Sequence, residues 1–70
     1  MTAAEWLEQF AQEIGVDAPG EEEVERILEL AAEAAHSSER TAAPVACWIG
    51  ARSRKPLEEL IEIAGRVRRS

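Results

Sequence analysis

The chain has 70 residues, with 14 acidic and 8 basic side chains, one histidine and one cysteine. This length predicts a single domain over residues 1–70, and a core of this size is marginal unless a disulfide, a metal or a partner adds to it. One cysteine excludes an intramolecular disulfide. No apolar stretch approaches the roughly 18 residues of a membrane span, and no basic start precedes an apolar run. We therefore expect a cytoplasmic protein without membrane contact.

The net charge of −6 is unevenly distributed along the chain. Residues 1–39 contain eleven acids and one base, whereas residues 40–70 contain three acids and seven bases, which gives −10 and +4. Such a split predicts attraction between the two halves across antiparallel helices, although an exposed ion pair contributes only about 0.3–1 kcal/mol. The acidic first half also argues against nucleic-acid binding, because it would repel a polyanion.

Residues 2–15 are predicted to form the first helix. Thr2 and Glu5 have the spacing of a capping box, in which each side chain binds the backbone N–H of the other residue. Gly15 is expected to end the helix. Apolar residues recur every three or four positions and form one stripe, with Trp6 at its edge: Ala3, Leu7, Phe10, Ala11 and Ile14.

The second helix is predicted from about residue 21 to residue 38, after the breakers Pro19 and Gly20. Its predicted apolar stripe consists of Val24, Ile27, Leu28, Ala31 and Ala35. The third helix is predicted over residues 42–52, with Thr41 as its N-cap and with Pro44 in the first turn, where the missing N–H costs little. The apolar face of this helix is predicted to consist of Val45, Trp48 and Ile49.

Pro56 is expected to open a fourth helix, whose apolar residues are Leu57, Leu60, Ile61, Ala64 and Val67. No segment has the two-residue alternation of a strand. Four short amphipathic helices joined by brief turns predict an all-α protein, a compact bundle of four short helices. The expected core consists of Leu7, Phe10, Ile14, Val24, Ile27, Leu28, Ala31, Val45, Trp48, Ile49, Leu57, Leu60, Ile61 and Ala64. Self-association as a homodimer stays open, because this burial is comparable with the entropic cost of ordering the chain.

Residues 34–50 contain the only histidine, the only cysteine and one of the two tryptophans. If the second helix continues to residue 40, His36 and Arg40 lie on one side near its C-terminus. Either these cations stabilise the free carbonyls of the helix end, or, with Glu39, they contact an anionic ligand or a protein partner. Cys47 is expected to act as a small, half-buried apolar residue, since the histidine that could activate it is eleven positions away.

Gly50 and the neighbouring alanines suggest a close approach between the second and third helices. A glycine inside a helix costs up to about 1 kcal/mol relative to alanine, which indicates that the space at Gly50 is needed. Trp48 is interpreted as a core or core-edge residue. We predict no catalytic residues, no metal and no cofactor, because no nucleophile, base and orienting group can be assembled from these residues.

The segment LELAAEAAHSSERTAAPVACWIG, residues 28–50, resembles a small, mostly actinobacterial domain family of uncharacterised function, the DUF6457-like domains. In that family an Ala-His pair is followed by Glu/Asp-Arg, by Ala-Ala-Pro and by an apolar pair with a glycine. The matching residues here are Ala35, His36, Arg40, Ala42, Ala43, Pro44, Ile49 and Gly50. The segment EWLEQFAQEIGVD, residues 5–17, is similar to the family's opening, so that the resemblance covers residues 5–52.

The resemblance implies a limited set of functions. Such domains occur alone or attached to the nucleotidyltransferase of molybdopterin-guanine dinucleotide biosynthesis, and this chain lacks the glycine-rich loop and the aspartates which that enzyme needs. We therefore predict a non-enzymatic accessory or protein-interaction module that is linked to molybdenum cofactor guanylylation. The alternative is a small anionic-ligand-binding helical protein that uses His36 and Arg40. A DNA-binding helix-turn-helix is disfavoured, because the third helix has no basic or amide side chain before Arg52.

Overall fold

The computed structural model describes the backbone of residues 1–69 and the side chains of residues 1–67. It contains four helices: α1 (Ala3–Ile14), α2 (Glu21–Ser37), α3 (Ala42–Ser53) and α4 (Leu57–Arg69). The predicted all-α bundle of four short helices is confirmed, and the molecule measures 39 × 23 × 19 Å. None of the helices in the described part of the chain is long and apolar enough to cross a membrane.

Both ends of α1 are held by the residues that the sequence indicates. The Glu5 N–H donates to the Thr2 hydroxyl at 3.1 Å, and the Thr2 N–H donates to Glu5 Oε1 at 2.7 Å, so the capping box is formed. The hydrogen bond from the Thr2 backbone lowers the pKa of the Glu5 carboxyl, because it stabilises the charged form. At the other end, Gly15 is left-handed at φ 92°, and the Val16 N–H donates to the Ala11 carbonyl as in a Schellman motif.

Thr41 is the N-cap residue of α3, as predicted, but it does not cap the helix with its side chain. Its backbone is already helical at φ −67° and ψ −18°, and its side chain makes no capping hydrogen bond. A turn of backbone takes its place, in which the N–H groups of Ala42 and Ala43 donate to the carbonyls of Glu39 and Arg40. The first free donors of α3 are therefore satisfied without a side chain, and Pro44 lies in the first turn as predicted.

The two threonines form a matched pair for a test of capping. Thr2→Ala is expected to destabilise α1 by about 1 kcal/mol, because the Glu5 N–H loses its acceptor. This corresponds to roughly 5-fold faster hydrogen exchange of the amides in the first turn of α1. Thr41→Ala is expected to leave exchange in α3 unchanged, and an equal acceleration in both variants would contradict this account of the two helix starts.

Acid is expected to weaken the same cap in the unmodified protein. A lowered pKa means that the carboxylate of Glu5 contributes stability that is fully present above its ordinary pKa and is lost as the pH falls through the lowered value. The protection of the amides in the first turn of α1, which is their exchange rate relative to that of an unstructured peptide at the same pH, should therefore fall in acid. Glu5→Gln, which keeps a capping-box side chain without a titrating group, should remove this pH dependence.

The helix α2 is the centre of the bundle. It packs against both α3 and α4, while the described residues of α1 pack on none of the other helices to a similar extent. Leu30 of α2 is buried, and it meets the other two helices at Gly50. A Cβ atom added to Gly50 would lie 3.6 Å from Leu30 Cδ2 and 2.9 Å from Leu60 Cδ1. The structure thus confirms that the space at Gly50 is needed.

The predicted core is only partly correct. Half of its members are half-buried around α2, namely Val24, Ile27, Ala31, Leu57, Leu60, Ile61 and Ala64. The other half are exposed, namely Leu7, Phe10, Ile14, Leu28, Val45, Trp48 and Ile49. Among the described apolar side chains, the two that are buried are Ala11 and Leu30. The sequence analysis did not place Ala11 or Leu30 in the core.

The prediction that Leu28 of α2 lies in the core is wrong, because the buried side of α2 is centred on a different part of the helix surface. At about 100° per residue, Leu28 lies roughly 160° around the helix from Leu30. The structure buries the side of Leu30 and leaves Leu28 62 % exposed. Because α2 contacts two helices rather than one, it needs an apolar arc wider than the single stripe that the sequence suggested.

Candidate protein-interaction surface

The apolar face of α1 is turned to solvent. Trp6 is 53 % exposed and Phe10 is 50 % exposed, and their rings stack with centroids 5.0 Å apart and an interplanar angle of 21°. Leu7 and Ile14, on the same face, are exposed as well. These four side chains are named the α1 face below. They form a continuous apolar surface on a helix whose ends are both capped, a preformed surface that a partner can bind.

The outer side of α3 presents a second apolar surface. Trp48 is 66 % exposed, and Val45 and Ile49 are exposed beside it. The opposite side of α3 carries small residues, and the half-buried Cys47 and the buried Gly50 lie there. Small side chains let helix axes approach closely, so this side packs on α2 and the large apolar side chains face outward. The prediction that Trp48 belongs to the core or its edge is therefore wrong.

A groove runs between α2, α3 and α4. It has a volume of about 670 Å³ and is mostly apolar. We name it the α2–α4 groove. Its larger apolar residues are Leu30, Leu60, Ile63, Val67 and, at its border, the exposed Ile49 of α3, and the charged residue in its lining is Glu33. It lies along the C-terminal half of α2, from Leu30 to Ser38. Its size is that of a pocket for a ligand or for side chains of a partner helix.

The structure separates His36 from Arg40. The helix α2 ends at Ser37, and Ser38 leaves the helical conformation at φ −142° and ψ −94°. The N–H and the hydroxyl of Ser38 both donate to the Ala34 carbonyl, at 3.2 and 3.0 Å. The common helical face predicted for His36 and Arg40 required a helix that continues to residue 40, and it does not form.

His36, Glu39 and Arg40 are all exposed. His36 lies in the last turn of α2, where a cation is favourable for the helix dipole. Glu39 and Arg40 lie in the connection to α3, and their backbone carbonyls accept the first N–H groups of that helix. Among the described side chains, no hydrogen bond or ion pair joins these three residues. Their role as contacts of a ligand or partner stays a prediction.

The other motif residues have structural positions. Ala42, Ala43 and Pro44 form the first turn of α3, with the two alanines half-buried and the proline exposed. Gly50 is the point at which α3 meets Leu30 and Leu60. The Ala-Ala-Pro and Gly elements of the motif therefore position α3 against α2.

Cys47 is half-buried, as predicted, and its thiol lies 4.0 Å from the Ile27 carbonyl. Burial raises the pKa of the Cys47 thiol, because it disfavours the charged thiolate. A smaller thiolate fraction makes the sulfur a weaker nucleophile at neutral pH. No activating base is placed beside it by any contact of the described residues.

The raised pKa predicts slow alkylation of Cys47. The rate of reaction with iodoacetamide should be lower than that of an unstructured peptide cysteine at pH 8, and its midpoint should lie at higher pH. The protein unfolded in urea serves as the control, in which the difference should vanish. A folded protein that reacts faster than the unfolded chain would contradict this account.

The ion pairs of the described side chains are local. Arg26 Nε lies 3.2 Å from Glu29 Oε1, and Lys55 Nζ lies 3.6 Å from Glu59 Oε1, in both cases within one turn. None of these ion pairs joins the acidic half of the chain to the basic half. Arg68 and Arg69, which extend the basic half, have side chains outside the described part.

The fold and this surface define a class, a small all-α domain whose large apolar side chains remain available to a partner. The chain belongs to the family described as Domain of unknown function (DUF6457), whose model matches residues 1–68. The match extends beyond residues 5–52 to include α4, and it confirms the family resemblance. No curated protein and no solved structure matches the chain.

Proposed function

We propose that this domain is a cytoplasmic, non-enzymatic accessory module that binds a protein partner. One observation carries the proposal, the exposure of the α1 face. Its four side chains are roughly half exposed. An aromatic side chain has an area of about 150–250 Å², so four half-exposed side chains of this size or slightly smaller present on the order of 400 Å² of apolar surface. An area of this size equals that of the largest apolar patch of an ordinary monomer, about 300–600 Å², which is often functional. The outer side of α3 is a further exposed apolar surface.

We propose no catalytic role, because the side chains do not provide an activated nucleophile. The Cys47 thiol has a raised pKa and lies against a carbonyl, which is an acceptor and not a base that could activate it. His36 lies at the end of α2, away from Cys47 in the middle of α3. Binding, in contrast, needs only complementary surfaces, and the chain offers an apolar face and an apolar groove.

The family resemblance supplies a specific candidate partner, the nucleotidyltransferase of molybdopterin-guanine dinucleotide biosynthesis. Mixed with this enzyme, the domain is expected to form a complex of defined stoichiometry in size-exclusion chromatography with light scattering. Phe10→Glu should weaken the complex at least 10-fold, since it places a charge in the middle of the α1 face. Gln12→Glu, with the same added charge on the opposite side of α1, should leave it intact. If no complex forms at high concentrations of both proteins, the proposed link to molybdenum cofactor guanylylation is wrong.

A further inference from the structure

We propose that the α1 face binds in the α2–α4 groove of a second copy of this chain, and that the second copy returns the same contact. The inference rests on the proposed function, and it takes a second copy of this chain, in place of the nucleotidyltransferase, as the partner that covers the α1 face. In this dimer the α1 face of each chain binds in the α2–α4 groove of the other chain. The contact is isologous, so that both the face and the groove of each chain are filled.

The area of the surface favours a reciprocal contact. A single α1 face of about 400 Å², bound in one groove that presents roughly half that area, buries on the order of 600 Å² in total, which is below the size of a stable interface. Two such contacts, related by a two-fold axis, bury on the order of 1,200 Å², which is the lower end of the standard size. A second copy supplies both contacts at once, whereas an unrelated protein that takes only α1 supplies one.

The tether of α1 disfavours the groove of its own chain. The chain joins α1 to the N-terminal end of α2 through residues 15–20, whereas the groove lies along the C-terminal half of α2. At 1.5 Å per residue, an α1 folded back along α2 would reach only to about residue 33. It would also lie beside the glutamates of α2, among them Glu22 and Glu25, which repel its own carboxylates. A second copy does not have the restriction that the tether imposes.

The burial within one chain points to the same need for a partner. Among the described residues, no large side chain is fully buried. Chains of this length often complete their core by oligomerisation. In the proposed dimer, the α1 face and Ile49 become the core that each single chain lacks.

The test is the mass in solution of the unmodified protein and of three charge variants, measured by light scattering from the micromolar to the millimolar range. The unmodified protein is expected to have twice the chain mass of 7.7 kDa at high concentration. Phe10→Glu on the α1 face and Ile49→Lys in the groove should each be monomeric, whereas Gln12→Glu should remain dimeric. All of these substitutions are at exposed positions, and circular dichroism checks that the helices are retained.

A mixture of the two monomeric variants gives the sharpest result. One variant keeps an intact groove and the other an intact α1, so that a 1:1 mixture should recover the dimer with one unmodified contact and one glutamate–lysine contact. Val67→Lys is a second groove variant with the same expected behaviour. An unmodified protein that stays at 7.7 kDa in the millimolar range, or a mixture that stays monomeric, would overturn the proposal. A monomer that still binds the nucleotidyltransferase through Phe10 would overturn the dimer and leave the proposed function standing.

Discussion

Leu30→Ala is expected to lower the free energy of unfolding by about 2–5 kcal/mol, the range for a buried leucine that leaves a cavity. Leu30 is 5 % exposed, and its side chain lies where α2 packs against Gly50 of α3. For a domain of this size the loss corresponds to a melting temperature lower by roughly 10–30 °C. Since a single core in a chain of this length supplies only about 3–5 kcal/mol, a large share of the variant should be unfolded near 37 °C.

Leu28→Ala is the matched control, because it removes the same atoms from the same helix. Leu28 is 62 % exposed and lies on the opposite side of α2. We expect its effect to be within about 0.5 kcal/mol, as for surface substitutions in general. Urea unfolding at one fixed protein concentration measures both variants, since association would make the stability depend on concentration. Equal losses in the two variants would show that Leu30 is not the centre of the bundle.

Gly50→Leu is expected to destabilise the contact between α3 and α4. A Cβ atom alone would lie 2.9 Å from Leu60 Cδ1, and three further carbons have to fit between Leu30 and Leu60. Overpacking of this kind costs typically about 1–3 kcal/mol, even though leucine favours a helix more than glycine does. The variant should therefore have a lower urea midpoint, with helicity lost in a single transition.

Gly65→Leu separates the crowding from the helix propensity. Gly65 is inside α4, and a Cβ atom there would have no atom within 4 Å. The substitution should leave stability unchanged or raise it by up to about 1 kcal/mol. The difference between the two variants then reports the crowding at Gly50. A Gly50→Leu protein as stable as Gly65→Leu would mean that α3 and α4 do not approach each other at this glycine.

The sequence predicted the helices well, because their signals are local. Thr2 and Glu5 form the predicted capping box, and Gly15 ends α1 as predicted, in a left-handed conformation. Each signal acts through hydrogen bonds within a few residues, so the packing of the other helices does not determine where α1 begins and ends. Thr41 is the exception, since the turn through Glu39 and Arg40 satisfies the same donors with backbone carbonyls.

Burial was harder to predict, because it depends on which helices pack together. The periodicity of α1 places Leu7, Phe10 and Ile14 on one face but does not say whether this chain or another covers that face. In α3 both sides are apolar, and the size of the side chains decides between them. The side that contains Gly50 packs inward, and Trp48 points out. One signal was available, the row of small residues in α3, and it correctly indicated a close approach to α2.

The candidate site was missed for the same reason. Sequence reasoning assigned function to His36, the only histidine, and to Arg40, and it assigned Phe10 and its neighbours to the core. The helix end at Ser37 separates the first pair, and the exposure of α1 makes the second group available. An apolar stripe at helical spacing has the same pattern in a core and in an interface, so only the count of helices that pack on it can distinguish the two.

The most direct test of the account is the fluorescence emission of Trp6, measured in a Trp48→Phe protein. It shows whether the α1 face is exposed in the single chain and becomes covered by a partner. In dilute solution we expect red-shifted emission that acrylamide quenches readily, since about half of the ring is exposed. With rising protein concentration the emission should shift to the blue and quenching should fall, in step with the increase in mass. A Trp6 ring that is already shielded at the lowest concentration would mean that α1 packs on its own chain, and it would contradict the account.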